Sequence, residues 1–396
     1  MRLDKRTVQI AGYVLFIAVL MVLPAMLDTF WLNRISKYLV YGMLGVAISL
    51  AWGYAGILNL GQGLFFGLGA YMLAMSLKLA SDTSLQQGSD TPVPDFMLWN
   101  AEPGVQTDLC CINKGSFLWI PFQEQWFGVA MGIVLPVLVA LGLGYAMFRA
   151  RITGVYVAII TLALALLVRL VIIDAQPMFN GFNGLTDLGW FHLGSVSFDP
   201  YQVQTYYLVA LSLSTVLVLA RWLVTSKAGL ILQSIRDDEN RARYLGYDVA
   251  HYKLFFFAVS AGMAGFAGML YVIAAEFASP TFMDISFSVS MIVWAAVGGR
   301  NSLLGACLGA ILLNVVTASV SETPILVDAW QLIIGAIFIL VVLLLPLGVA
   351  GLVDDLLERV LAVGGGSPTA SDPRPSARAA REPAAASPAL TTSEPP

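Results

Sequence analysis

The chain has 396 residues, of which 58% are hydrophobic and only 12% charged, with a mean hydropathy of +0.79. Soluble domains carry roughly 25% charge, so this composition excludes a cytosolic enzyme and a disordered chain. A net charge of −4 argues against a nucleic-acid partner, and two histidines and three cysteines leave little for a metal cluster or a disulfide scaffold. The fold class that remains is an all-α polytopic membrane protein.

A span needs about 20 mostly apolar residues to cross about 30 Å of hydrocarbon. In chain order the candidates are Val8–Leu27, Tyr38–Leu58, Leu64–Leu79, Phe127–Phe148, Val155–Ile173, Tyr206–Val224, Leu254–Ala274, Phe287–Val297, Leu304–Val320 and Trp330–Leu347, about ten transmembrane or re-entrant helices. The third and eighth are short and glycine-flanked, as broken or re-entrant elements are. The first is too long for a cleaved leader and lacks a small-residue cleavage site, so it reads as an anchor. With both termini placed in the cytoplasm, 16 of the 21 Lys and Arg residues fall inside, four outside and Arg169 within a span, which supports the count and the direction.

The domain plan follows. Residues 1–7 are a cytoplasmic N-terminus and 8–352 a transmembrane domain, with an external insert at 80–125 and a charged cytoplasmic loop at 221–253. Residues 353–396 form a cytoplasmic tail; from about Gly364 it holds seven of the 18 prolines and has no apolar periodicity, so disorder is expected. Adjacent Cys110 and Cys111 in the insert cannot bond each other without strain.

Catalytic and metal motifs are missing. There is no phosphate-binding GxxxxGK[ST], no HExxH, no CxxC and no nucleophile elbow, and His192 and His251 fall on opposite sides of the membrane. The chain therefore reads as a non-catalytic membrane subunit that binds no cofactor or metal of its own.

Four polar features remain. Leu58-Asn-Leu-Gly-Gln-Gly-Leu-Phe-Phe-Gly-Leu-Gly-Ala-Tyr places Asn59 and Gln62 at an apparent helix break among glycines, which fits either a polar solute path or ordinary close packing with satisfied amides. Asn180-Gly-Phe-Asn-Gly-Leu-Thr-Asp is an external turn cluster, read as structural or as a gate. Arg169 lies about a turn from the external end of its span, within reach of Asp174, and Glu276 sits just past the seventh span. From Ser226 to Gly246 a short amphipathic helix is predicted, with Leu230, Leu232, Ile235 and Leu245 on its apolar face and Arg236, Asp237, Asp238, Glu239, Arg241 and Arg243 on its charged one. It suits either docking in a partner's groove or lying at the headgroups of membrane lipid. Ser260/Ala264/Gly268 and Gly305/Gly309 are small-residue seams for helix packing.

Several motifs then coincide in order: Gly53-Tyr-Ala-Gly-Ile-Leu-Asn-Leu-Gly-Gln-Gly, Arg151-Ile-Thr-Gly-Val-Tyr with Thr161-Leu-Ala, Gly181-Phe-Asn-Gly-Leu-Thr, and the charged loop ending Leu245-Gly-Tyr. From about Leu39 to Leu352 the chain resembles the permease subunits of branched-chain amino acid and urea ABC importers, and it is most similar to the urea permease subunit. The pointers to urea are His251-Tyr-Lys-Leu-Phe, Val293-Trp-Ala-Ala-Val-Gly-Gly-Arg, Ser321-Glu-Thr and Trp330-Gln-Leu. Gln62 departs from the His that many such relatives carry.

The resemblance implies an importer permease of the bacterial inner (plasma) membrane that translocates urea, with branched-chain amino acids as the alternative substrate. It also implies a second homologous permease, two ATPase subunits that hydrolyse the ATP, and an external solute-binding protein. The substrate pathway then falls to Asn59, Gln62, Phe65, Asn180, Asn183 and Thr186. Coupling to the ATPase falls to Lys227, Gly229, Leu230, Ile235, Arg236, Asp237, Glu239 and Arg241. A passive urea or amide channel is the alternative from another class; the charged 226–246 helix speaks against it, since a pore needs no docking element.

Overall fold

The computed structural model describes residues 5–81 and 117–322, with isolated positions at 332, 335, 336, 339, 348 and 351. The chain divides into two units, Met1–Val353 and Asp354–Pro396, and every described residue belongs to the first. Cys110, Cys111, most of the predicted insert and the tail lie outside the described residues.

In order the elements are α1 (Lys5–Val22), α2 (Thr29–Ile48, prolonged by a π-helical stretch Ser49–Tyr54), α3 (Gln62–Ser81), α4 (Gln125–Arg149), α5 (Val155–Asp174), a short α6 (Gln176–Phe179), the hairpin strands β1 (Phe191–Leu193) and β2 (Val196–Phe198), α7 (Val203–Thr225), α8 (Lys227–Asp237), α9 (Glu239–Tyr244), α10 (Val249–Ala275), α11 (Ile285–Gly298) and α12 (Leu303–Ser321). Among the described residues, seven helices are long and apolar enough to cross a membrane, and Gln9–Ala25 and Ile285–Gly298 are shorter apolar helices. These match nine of the ten predicted spans; the tenth, Trp330–Leu347, falls almost wholly outside the described residues. The third span, predicted short, is a full 20-residue helix, whereas the eighth is a 14-residue helix, as its glycine-bounded sequence suggested.

The centre is α10, packed on α2, α3 and α4. Lipid gives helices no hydrophobic reason to associate, so the driving force is close backbone approach and dispersion. The sequence supplies it. A Cβ on Gly69 of α3 would stand 2.1 Å from the Gly265 carbonyl oxygen, and one on Gly268 2.0 Å from that of Phe66, so α3 and α10 meet backbone to backbone. On α4 the buried residues Gly128, Gly132, Pro136, Ala140 and Gly144 recur every fourth position, forming one smooth stripe against this pair. The Gly305/Gly309 seam likewise lets α12 meet Gly298 of α11.

Polar side chains tie the elements where they end. Asn33 of α2, buried, donates to the carbonyls of Pro200 and Ala274 at 2.9 Å each, and the Tyr206 hydroxyl of α7 donates to Leu20 of α1 at 2.8 Å. Arg169 forms an ion pair of 2.6 Å with Asp284, at the start of α11, rather than with the neighbouring Asp174. The pairing joins α5 to a segment more than a hundred residues away, which local spacing does not reveal. Lys78, predicted to be an external residue, is buried in the last turn of α3 and donates to the carbonyls of Thr186 and Asp187 at 3.0 and 3.4 Å.

Candidate functional site

The interruption between α2 and α3 is the most polar feature of the buried interior. Its entry is π-helical over Ser49–Tyr54, a form frequent at functional sites, and no regular helix is resumed until Gln62. Gly56 takes φ +69°, a left-handed conformation that glycine adopts without strain. The Asn59 side chain accepts from the Gly61 amide at 2.9 Å and donates to Gln62 Oε1 at 2.6 Å. Gln62 Nε2 donates to both the carbonyl and the hydroxyl of Ser260 on α10 at 3.1 Å, and that hydroxyl donates to the Ala47 carbonyl of α2 at 2.7 Å. The Gly61 amide also reaches Thr161 of α5 at 3.2 Å. Asn59 is 4% exposed and Gln62 1%; Phe65, fully buried, stands edge-on to Phe257 of α10. In this conformation the predicted path residues at the break form a closed lock joining α2, α3, α5 and α10. Leaving such amides unpaired would cost about 1–3 kcal/mol each.

The second predicted group lies elsewhere. Asn180 caps α6 in the left-handed region, and its amide donates to the Gly184 carbonyl at 2.7 Å. Leu185 then bridges Ala278 in antiparallel fashion, with bonds of 2.7 and 2.9 Å. Asn183 and Thr186 are exposed on this loop, which rests on Lys78 at the far end of α3. Sixteen residues of helix, about 24 Å at 1.5 Å per residue, separate Lys78 from Gln62. The structure therefore brings Asn180, Asn183 and Thr186 into one surface loop, apart from Asn59, Gln62 and Phe65. Beside it, Trp190 donates to Glu276 at 3.0 Å, and burial pushes the Glu276 carboxyl above its usual range.

The third group is the charged loop. One helix was predicted from Ser226 to Gly246; the structure holds two, α8 and α9. Asp238 divides them, because its extended backbone (φ −155°) leaves its carboxylate free to cap the Arg241 amide at 3.0 Å. Ser226 caps α8 by accepting from Gly229 at 3.2 Å. Gly229 is needed there, since a Cβ would stand 2.3 Å from the Val224 carbonyl oxygen. The predicted apolar face also splits. Leu232 and Ile235 are buried, Ile235 together with Ala242 and Val249, while Leu230 is 58% and Leu245 73% exposed. Leu245 leaves the face because the break at Asp238 turns α9 away from the register of a single helix, whereas Leu230 stands roughly opposite Leu232 and Ile235 around α8 at about 100° per residue.

Of the predicted coupling residues, Lys227, Leu230, Asp237 and Arg241 face outward. Glu239 faces in, holding Arg243 and, at 2.6 Å, Lys253 of α10. Arg236 is itself exposed, but its guanidinium reaches inward, Nη1 donating to the Gly53 carbonyl in the π-helical stretch at 2.6 Å and its other nitrogens to Asp237. Sequence reasoning placed Arg236 on the charged face, quoted Gly53 and Thr161 only as motif residues, gave Ser260 to a packing seam and passed over Ser49. The helix-break reading pointed to the right region, but the partners lie 100 to 250 residues apart and carry no local pattern.

The fold and these sites define a class: a polytopic all-α membrane protein whose long buried helices are interrupted by a hydrogen-bonded break. Residues 30–342 match the model of the branched-chain amino acid transport system / permease component family, and the chain belongs to that family. It is 27% identical over 330 residues to the high-affinity branched-chain amino acid transport system permease protein LivM of Escherichia coli (strain K12), covering 76% of this chain and 67% of that one. It is 21% identical over 332 residues to the corresponding LivH protein of Salmonella typhimurium, covering 81% and 94%. No solved structure gives a significant match. The chain is thus a non-catalytic, multi-pass ABC permease of the inner membrane.

Proposed function

We propose that the chain is one of two homologous permeases of an ABC importer for branched-chain amino acids, with separate ATPases hydrolysing ATP and an external binding protein delivering solute. The observation that carries the coupling half is the surface of α8 and α9: Leu230, Leu245 and Tyr244, the last 91% exposed, stand in the open among Lys227 and Arg241. Large apolar side chains left exposed on a charged loop suit burial in a partner's groove. The same end of the molecule carries Arg149, Arg151, Arg221, Arg300 and Lys253, whereas Arg34, Lys37 and Lys78 lie towards the other. That asymmetry supports a cytoplasmic α8.

For the substrate, the curated relatives are named for branched-chain amino acid systems, which favours those solutes over the urea that the sequence motifs first suggested. Labelled leucine and urea, competed in proteoliposomes holding the full complex, test this: ATP-dependent leucine uptake is expected, and uptake of urea alone would reverse the assignment. The purified chain by itself is expected to hydrolyse no ATP and to accumulate neither solute.

A further inference from the structure

We propose that Arg236 is a positioning residue, the link through which α8 sets the conformation of the interrupted end of α2 and, beyond it, the Asn59–Gln62 lock on α10. The inference rests on the reading of α8 as the surface on which an ATPase acts. What it adds is the route inward.

The argument starts at Gly53. Its carbonyl accepts the Arg236 guanidinium at 2.6 Å, a short charge-assisted bond, stronger than a neutral one. Its other side is pressed on the turn between α11 and α12, where a Cβ would stand 1.8 Å from the Arg300 carbonyl oxygen. The π-helical stretch is fixed to that same turn by Ser49, donating to Arg300 at 2.8 Å, and by the Tyr54 hydroxyl, donating to Asn301 at 2.7 Å. Gly53 is therefore held between α8 and a turn that α11 and α12 anchor. Displacing α8 must either break the guanidinium bond or move Gly53 against this clamp.

The freedom lies downstream. Ile57 bonds back to Ala51 at 2.8 Å and the Gly61 carbonyl accepts from the Leu64 amide at 3.0 Å, but between them the ties are to side chains, Asn59 with Gln62 and the Gly61 amide, and Gln62 with Ser260. Gly56 sits directly under the Arg236 side chain: a Cβ there would come within 2.9 Å of its Cγ. The guanidinium, the glycine that makes room for it and the amide lock thus lie on one short segment. A π-helical turn has close alternatives in α or frayed geometry, as a segment moved by a lever requires. Arg236 does not touch solute, and on this reading it is not part of the surface that holds the ATPase.

Two experiments test it. In the reconstituted complex, Arg236→Ala is expected to co-purify with the ATPases and to hydrolyse ATP, while solute taken up per ATP falls about tenfold, the scale of one lost charged hydrogen bond. Arg236→Lys, able to donate a single bond, is expected to recover part of the loss, and Gly56→Ala, which displaces the Arg236 stem, to reproduce it. Unchanged uptake per ATP in both Arg236→Ala and Gly56→Ala would overturn the proposal. So would loss of ATPase binding in Arg236→Ala, which would place the residue in the docking surface instead.

The second experiment needs no partner. Hydrogen exchange on the purified chain is expected to accelerate at residues 55–61 in Arg236→Ala, with α4 unchanged, and equal protection in both proteins would refute the link. A wild-type chain that assembles with no ATPase would refute the importer reading, while this exchange result still decides the contact.

Discussion

At the scale of single residues, the amides at the break are the most exacting positions. Gln62→Leu keeps the volume but strips Asn59 and Ser260 of their partner. A loss of about 1–3 kcal/mol is expected, read as a lower melting temperature of the detergent-solubilised chain. Gln62→Glu adds a buried charge and should be worse. At the opposite end Glu276 behaves differently. Its carboxyl is raised chiefly by burial, so the folded chain holds its proton more tightly than the unfolded one. This contribution to stability is complete below the ordinary value of 4.5 and is lost as pH climbs through the raised one. Glu276→Gln, which mimics the protonated form and can still accept from Trp190, is expected to melt above the wild type at neutral pH. The gap should close in acid, and a gap independent of pH would contradict this account.

At the scale of elements, the interaction of α5 with the start of α11 turns on one ion pair. Arg169 and Asp284 are each roughly a quarter exposed, so water screens part of their attraction. Asp284→Asn strands the guanidinium beside apolar helices and should cost about 1–2 kcal/mol after that discount. Exchanging the two residues, Arg169→Asp with Asp284→Arg, should restore most of it in a thermal melt.

Elements also mark how far the sequence can be read. Apolar runs located nine helices, most of them to within about five residues, because length and hydropathy are imposed by the bilayer whatever the helices touch; α2 is the exception, starting at Thr29 rather than at the predicted Tyr38. The interruption after α2 was legible from Asn59, Gln62 and the crowd of glycines. The pairings were not. Arg169 with Asp284, Lys78 with the 186–187 carbonyls and Arg236 with Gly53 join distant segments, and periodicity holds no record of them. The division of α8 from α9 was written in Asp238, a good helix cap, yet the charged stretch around it reads equally well as one continuous helix.

At the scale of the whole molecule, the proposed sidedness is open to direct measurement. The chain's three cysteines replaced by alanine or serine, single cysteines at Asn183 and Arg241 should be labelled from opposite faces by an impermeant maleimide. Asn183→Cys is expected to react on intact cells, Arg241→Cys only on inverted vesicles. Labelling of both from one side would dismantle the arrangement, because α7 is the one span between the two positions along the chain.

The glycine-lined contact of α3, α4 and α10 has a consequence for kinship. Where the backbones of α3 and α10 touch only glycine fits, and the buried stripe of α4 holds small residues and Pro136, while the outward faces of these helices accept most apolar residues. Identity is therefore free to drift to the 21–27% seen here, and the rhythm of small residues on α4 and the paired glycines of α3 and α10 are expected to stay fixed, which an alignment of relatives would check. Distant relatives should be easier to find by that rhythm than by percent identity, much as a melody survives a change of instruments.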